Sequence, residues 1–125
     1  MKKTLIAIFE DDKVDAFIYE RLISHIKKPV EFHLFDNPDK GLDMAKKVKF
    51  DIIIIQIHFW GDNMSGINIL KKIKEIYTED IIAIAMTSLL QKGDLELLLS
   101  SGFSMCIEKP LVFQEINKIL NESQN

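Results

Sequence analysis

The chain has 125 residues, of which 47% are hydrophobic, and this length and composition suit one domain with its own buried core. A formal net charge of −3 and a pI near 5.6 argue against a nucleic-acid surface, which normally needs a basic patch. Cys106 is the single cysteine, so an internal disulfide is excluded and a reducing compartment is expected.

The first apolar run, residues 5–9, predicts a buried strand. It is too short for a signal peptide and is followed at once by three acids, Glu10, Asp11 and Asp12. No segment approaches the roughly 18 apolar residues that are needed to span a bilayer. We therefore expect a cytoplasmic protein without a membrane segment.

Strand and helix patterns then alternate to the end of the chain. Short apolar runs predict strands at residues 5–9, 30–35, 52–57, 81–86 and 103–107. Such continuous apolar character is typical of parallel strands covered on both faces, although Glu31 and His33 interrupt the second run and predict an edge strand. Helical spacing of apolar residues occurs in three segments: Val14, Phe17, Ile18, Leu22 and Ile26; Ile67, Leu70, Ile73 and Tyr77; and Phe113, Ile116 and Leu120.

This alternation predicts an α/β fold in which helices cover both faces of a parallel five-stranded sheet. We expect a single flavodoxin-like domain over residues 1–125, with strand order 2-1-3-4-5 and no output domain. Ligand sites in such sheets form beyond the carboxyl ends of the strands. The polar residues that follow or end the predicted strands should meet there: Glu10, Asp11, Gln56, Thr87 and Lys109.

Four short motifs carry a family resemblance over nearly the whole chain. They are the acidic residues after the first strand, the run of isoleucines ending at Gln56, the pair Thr87-Ser88, and the pair Lys109-Pro110. In this order and spacing the sequence resembles the response-regulator receiver domain of two-component signalling. Gln56 stands where that family carries its phosphoacceptor aspartate.

The resemblance implies a role for each pocket position. Glu10, Asp11 and the backbone carbonyl of His58 would hold a magnesium ion, since hard cations prefer oxygen ligands. Thr87 and Lys109 would contact phosphoryl oxygens. Gln56 cannot take the acceptor role, because a carboxamide carries no charge and is a poor nucleophile.

The same substitution changes the electrostatics of the predicted pocket. At about 4 Å and an effective dielectric of about 20, two like charges repel by about 4 kcal/mol, so three clustered carboxylates favour a cation. With Gln56 present, two acids face Lys109, and the amide can both donate and accept hydrogen bonds. We expect a pocket that requires no cofactor and binds Mg²⁺ only weakly.

Three further positions depart from the family pattern. The loop over residues 56–66 is about two residues longer than usual and contains Trp60, a candidate partner-binding residue because tryptophans are enriched at interfaces. Ala16 and Cys106 stand where a polar and an aromatic residue are common.

Asp62 is an alternative acceptor, although a loop acid is usually only solvated. The three histidines are scattered without metal-ligand spacing, which argues against zinc.

The leading hypothesis is a stand-alone pseudo-receiver that is not an enzyme and works through protein contacts, with a histidine kinase or another signalling protein as partner. The face formed by the last two strand-helix units is its predicted contact surface. Two alternatives remain open: a phosphorelay receiver with an unconventional acceptor, and a small-ligand sensor that uses the vacated acidic pocket. Neither a nucleic acid nor a membrane is expected as a partner, and the oligomeric state is left open.

Overall fold

The computed structural model describes residues 3–59, 65–109 and 111–123, without the side chains of Phe113, Glu122 and Ser123. Strands and helices alternate along the chain. The strands are β1 Thr4–Phe9, β2 Val30–Phe35, β3 Ile52–Gln56, β4 Ile82–Thr87 and β5 Met105–Glu108. The helices are α1 Lys13–Ser24, α2 Pro38–Lys47, α3 Ser65–Ile76, α4 Asp94–Ser100 and α5 Phe113–Ser123. None of the helices in these ranges is long and apolar enough to cross a membrane.

The five strands form one parallel sheet in the order β2-β1-β3-β4-β5, which confirms the predicted flavodoxin-like topology. The strand with the interrupted apolar pattern, β2, lies at an edge as expected. The chain order reverses beside β1, so the carboxyl ends of β1 and β3 are neighbours. This is the position at which open α/β sheets form their sites.

The alternating side chains of the strands build two separate cores. In β3, Ile53 and Ile55 pack with residues of α2, α3 and α4 on one face, whereas Ile52 and Ile54 pack with residues of α1 and α5 on the other. The run of isoleucines is apolar throughout because β3 lies in the middle of the sheet and is covered on both faces.

The last predicted strand begins too early. Phe103 is buried but precedes β5, which starts at Met105. Gly102 has a φ of +113°, a conformation that L side chains rarely adopt, and it ends the turn after α4. The apolar run therefore includes a buried loop residue, Phe103, as well as strand residues, because an apolar sequence indicates burial and does not distinguish a buried loop from a strand.

The apolar stripe predicted for α1 is wrong over its first turns. Val14 and Phe17 are 68% and 59% exposed, whereas Tyr19 is only 1% exposed. Leu22 is partly buried, as predicted. The inward face of α1 also includes the partly buried Asp15. Because this face carries a carboxylate, a search for apolar residues at helical spacing does not detect it.

Candidate functional site

The polar residues predicted at the sheet edge lie at the carboxyl ends of four strands. Gln56 and Thr87 are the last residues of β3 and β4, Glu10 directly follows β1, and Lys109 directly follows β5. Hydrogen bonds and ion pairs connect Glu10, Asp11, Gln56 and Lys109 into one cluster. We call these four residues, with Asp15, the acidic pocket.

Lys109 lies at the centre of the acidic pocket. Its ammonium is 2.7 Å from Glu10 Oε1 and 2.7 Å from Asp15 Oδ2, and it also donates to Gln56 Oε1. A lysine ammonium has three N–H donors and no acceptor, so three protein oxygens match its full capacity. Desolvation lowers the pKa of Lys109, but hydrogen bonds to Asp15 and Glu10 outweigh this effect and raise the pKa above its ordinary value.

Asp15 reaches Lys109 because of the way α1 begins. Asp12 caps the helix: its side chain accepts hydrogen bonds from the backbone amides of Val14 and Asp15 at 2.9 and 3.0 Å. The cap places Asp15 in the first helical turn, where a negative charge is favourable. Asp12 is thus the N-cap of α1, and its side chain bonds to the backbone of the helix.

Gln56 bridges the two charged sides of the pocket. Its amide nitrogen donates to Asp11 Oδ1 and to the backbone carbonyl of His58, the latter at 3.3 Å. Its carbonyl oxygen accepts from Lys109. The two ends of the amide are distinguished by chemistry, because an ionised carboxylate only accepts and an ammonium only donates. The side chain is thus held at both ends and is almost fully buried.

Gly66 lets the start of α3 approach the end of β3. A Cβ at this position would lie 2.7 Å from the backbone oxygen of Gln56. The amide of Gly66 donates to the carbonyl of Ile57 at 2.8 Å. The close approach fixes the backbone from which the Gln56 side chain reaches Asp11.

Glu10 is buried and bound at both of its oxygens. Oε1 accepts from the Tyr19 hydroxyl at 3.0 Å and from Lys109, while Oε2 accepts from the amide of Asp12 at 3.1 Å. Burial raises the pKa of Glu10 above its ordinary value, and the bonds from Lys109, Asp12 and Tyr19 oppose that shift. Sequence reasoning did not identify Asp15 or Tyr19 as pocket residues, although their spacing of four places both on one face of α1.

Thr87 borders the acidic pocket but points its hydroxyl elsewhere in this structure. Both hydrogen bonds described for Oγ1 involve Leu89: it donates to the carbonyl at 3.3 Å and accepts from the amide at 3.4 Å. The backbone carbonyl of Thr87 accepts from the amide of Lys109 at 2.7 Å, which ties β4 to the chain after β5. Trp60, Asp62 and Pro110, each singled out in the sequence, lie outside the described residues.

The candidate magnesium ligands already bond to groups of the protein. Asp11 and the His58 carbonyl share the Gln56 amide group, and Glu10 is bound by three donors. Mg²⁺ demands near-ideal octahedral oxygen ligands at about 2.0–2.1 Å, so a cation here would compete with these hydrogen bonds for the same oxygen atoms. Within the described residues, no group of three or more His, Cys, Asp and Glu side chains is placed to hold a metal.

The comparison with known families decides what kind of domain this is. The family model described as the response regulator receiver domain matches residues 6–121, nearly the whole chain. The chain belongs to the response regulator receiver domain family. No curated protein matches it in sequence.

Solved receiver structures agree with this assignment. The signal receiver domain of a DNA-binding response regulator from Colwellia psychrerythraea 34H is 27% identical, with a TM-score of 0.82, and the alignment covers 96% of this chain and 97% of that one. A two-component response regulator from Clostridium difficile is 21% identical, with a TM-score of 0.81 and coverage of 98% and 96%.

A third similar structure contains a receiver domain with its partner. It is the complex of the Saccharomyces cerevisiae histidine phosphotransfer signalling protein Ypd1 with the receiver domain of its downstream response regulator Ssk1. The identity is 20% and the TM-score 0.79, with coverage of 96% of this chain and 88% of that one. At this identity the likeness shows the fold alone. Receiver domains in general are signalling modules rather than enzymes.

Proposed function

We propose that this receiver domain is a pseudo-receiver that cannot accept a phosphoryl group at the usual position and acts through protein–protein contacts. One observation carries the proposal: Gln56, at the end of β3, is bonded to Asp11, to the His58 carbonyl and to Lys109. The residue at the position expected for the phosphoacceptor is therefore a neutral side chain that links Asp11 to Lys109.

Two physical arguments support the loss of phosphorylation. Nucleophilic catalysis by a side chain requires an activated nucleophile, and the carboxamide of Gln56 has no negative charge to supply one. Lys109, which would otherwise be available to an incoming phosphoryl group, already donates to three protein oxygens. Binding a phosphoryl group would require at least one of these charge-assisted bonds to break.

Exposed apolar side chains support a role in protein contacts. Val14, Phe17 and Ile18 are exposed on α1. Phe17 lines a surface cavity whose charged residues are mostly acidic and include Glu10 and Asp11. Exposed apolar groups within a polar rim are typical of protein interaction sites. A protein partner with an apolar contact surface flanked by Lys or Arg would complement this face. Leu95 and Leu99 on α4 are also exposed, which keeps the face of the last two strand-helix units as a second candidate.

Incubation with acetyl phosphate and Mg²⁺, followed by intact-mass analysis, tests the proposal directly. We expect no phosphoryl adduct, because neither a nucleophile at position 56 nor a free Lys109 is available. A conventional receiver domain treated in parallel shows that the donor is active. A stoichiometric, hydroxylamine-sensitive adduct on this protein would contradict the proposal and support a phosphorelay receiver with another acceptor.

A further inference from the structure

We infer that Tyr19 is, beside Gln56, a second determinant of weak Mg²⁺ binding in the acidic pocket, because its hydroxyl helps to hold Glu10 in a position in which the carboxylate is less available to a cation. This positioning role rests on the proposed function and extends it. It implies that replacing Gln56 by an acid is not sufficient to rebuild a strong magnesium site.

Tyr19 reaches the pocket from inside the protein. Its side chain is buried in the core between the sheet, α1 and α5, next to Ile8, Ile54 and Leu111. Only the hydroxyl is polar, and it lies 3.0 Å from Glu10 Oε1 and 3.4 Å from Met86 Sδ. A phenol has one proton to donate, and a carboxylate is the stronger acceptor, so the proton is directed at Glu10.

The bonds of Glu10 restrict its side chain in two directions. Tyr19 and Lys109 hold Oε1 from the interior, and the amide of Asp12 holds Oε2 from the start of α1. A hydrogen bond in a buried site is stronger than in water, and leaving a buried donor without its acceptor is costly. Turning Glu10 toward a cation would therefore leave the Tyr19 hydroxyl with the weak thioether acceptor of Met86 in place of a carboxylate.

The two determinants act on different ligands. Gln56 engages Asp11 and the His58 carbonyl, whereas Tyr19 engages Glu10. Substituting Gln56 by Asp releases the first pair and leaves Glu10 held. Substituting Tyr19 by Phe removes a single oxygen, keeps the ring in the core and leaves the Lys109 and Asp12 bonds in place.

Calorimetric titration with MgCl₂ on three variants tests the inference: Gln56→Asp alone, Gln56→Asp with Tyr19→Phe, and Gln56→Asp with Tyr77→Phe. We expect the Tyr19→Phe combination to bind Mg²⁺ about tenfold more tightly than Gln56→Asp alone, since one hydrogen bond to a charged group no longer competes. Tyr77 is the matched control, because its hydroxyl bonds to Val48 and Phe50 and has no bond to the acidic pocket.

Equal Mg²⁺ affinities with and without Tyr19→Phe would overturn the inference, and so would an equal gain from Tyr77→Phe. Neither result affects the acetyl phosphate experiment on the unaltered protein, so failure of the inference is distinguishable from failure of the proposed function. Thermal melts show whether each variant is folded. If the Tyr19→Phe combination does not fold, Tyr19→Leu in the Gln56→Asp background removes the same hydroxyl with a different apolar side chain and leaves Glu10 unaltered, and the same gain is expected.

Discussion

At position 56, the carboxamide supplies a donor and an acceptor where a carboxylate would supply acceptors only. Asp11 needs a donor and Lys109 needs an acceptor, and Gln56 lies between them. Compared with a carboxylate at this position, Gln56 carries one negative charge fewer, and it joins the neighbouring charges through a neutral group. Under the proposed function, the missing nucleophile and the cross-link are both consequences of this one residue.

Gln56→Ala should destabilise the fold by about 1–3 kcal/mol, the cost expected when a buried bridge is removed and its polar partners lose bonds. Urea denaturation monitored by circular dichroism measures this change. Gln91→Ala is the matched control, because Gln91 is exposed and a surface substitution is expected to change stability by no more than about 0.5 kcal/mol. Equal effects of the two substitutions would show that the bridge contributes nothing to stability.

Much of the pocket could be predicted from the sequence because the ends of buried strands can be recognised in it. Buried parallel strands are apolar throughout, so polar residues at or just beyond the end of a run stand out, as Glu10, Gln56 and Lys109 do. Asp15 and Tyr19 were missed because they approach the pocket from α1. A helix shows its inward face only through periodicity, and a carboxylate and a phenol on that face break the apolar pattern.

At the level of elements, the strands were predicted better than the helices. The alternation of elements predicts a parallel sheet and the weak second run predicts its edge strand, whereas the complete order 2-1-3-4-5 is a choice among the known doubly wound topologies. The helix α4 was implied only by that alternation. It has seven residues with three consecutive leucines, so hydrophobic spacing cannot show which one is buried.

The structure resolves that ambiguity and leads to a prediction for α4. Leu98 is 1% exposed and packs in the core, whereas its neighbour Leu97 is 45% exposed. Leu98→Ala should cost about 2–5 kcal/mol through lost burial and a residual cavity, and Leu97→Ala should stay within about 0.5 kcal/mol. Urea denaturation of the two variants checks this contrast. Similar costs would mean that α4 packs through a different face.

Across the whole molecule, the two tyrosines connect layers at opposite ends of the sheet. Tyr19 joins α1 to the acidic pocket at the carboxyl end. Tyr77, directly after α3, joins that helix to the chain entering β3: its hydroxyl donates to the carbonyl of Val48 at 2.8 Å and accepts from the amide of Phe50 at 3.0 Å. The phenol proton is therefore part of the contact between a helix and the central strand.

This contact predicts that the fold loses stability at alkaline pH. Desolvation raises the pKa of Tyr77, and nearby Asp51 adds to the shift, while the Phe50 amide and Lys49 oppose it. A phenol ionises at about pH 10 in the unfolded chain and at higher pH in the folded one. The stabilising contribution is complete below about pH 10 and is lost as the pH rises toward the folded pKa, because the unfolded state releases its proton first.

Urea denaturation at pH 8, 10 and 11 measures this loss. The free energy of unfolding should decline more steeply with pH for the unaltered protein than for Tyr77→Phe, which is less stable at pH 8 but has no proton to release. Parallel declines would show that the Tyr77 hydroxyl is not protected by the fold.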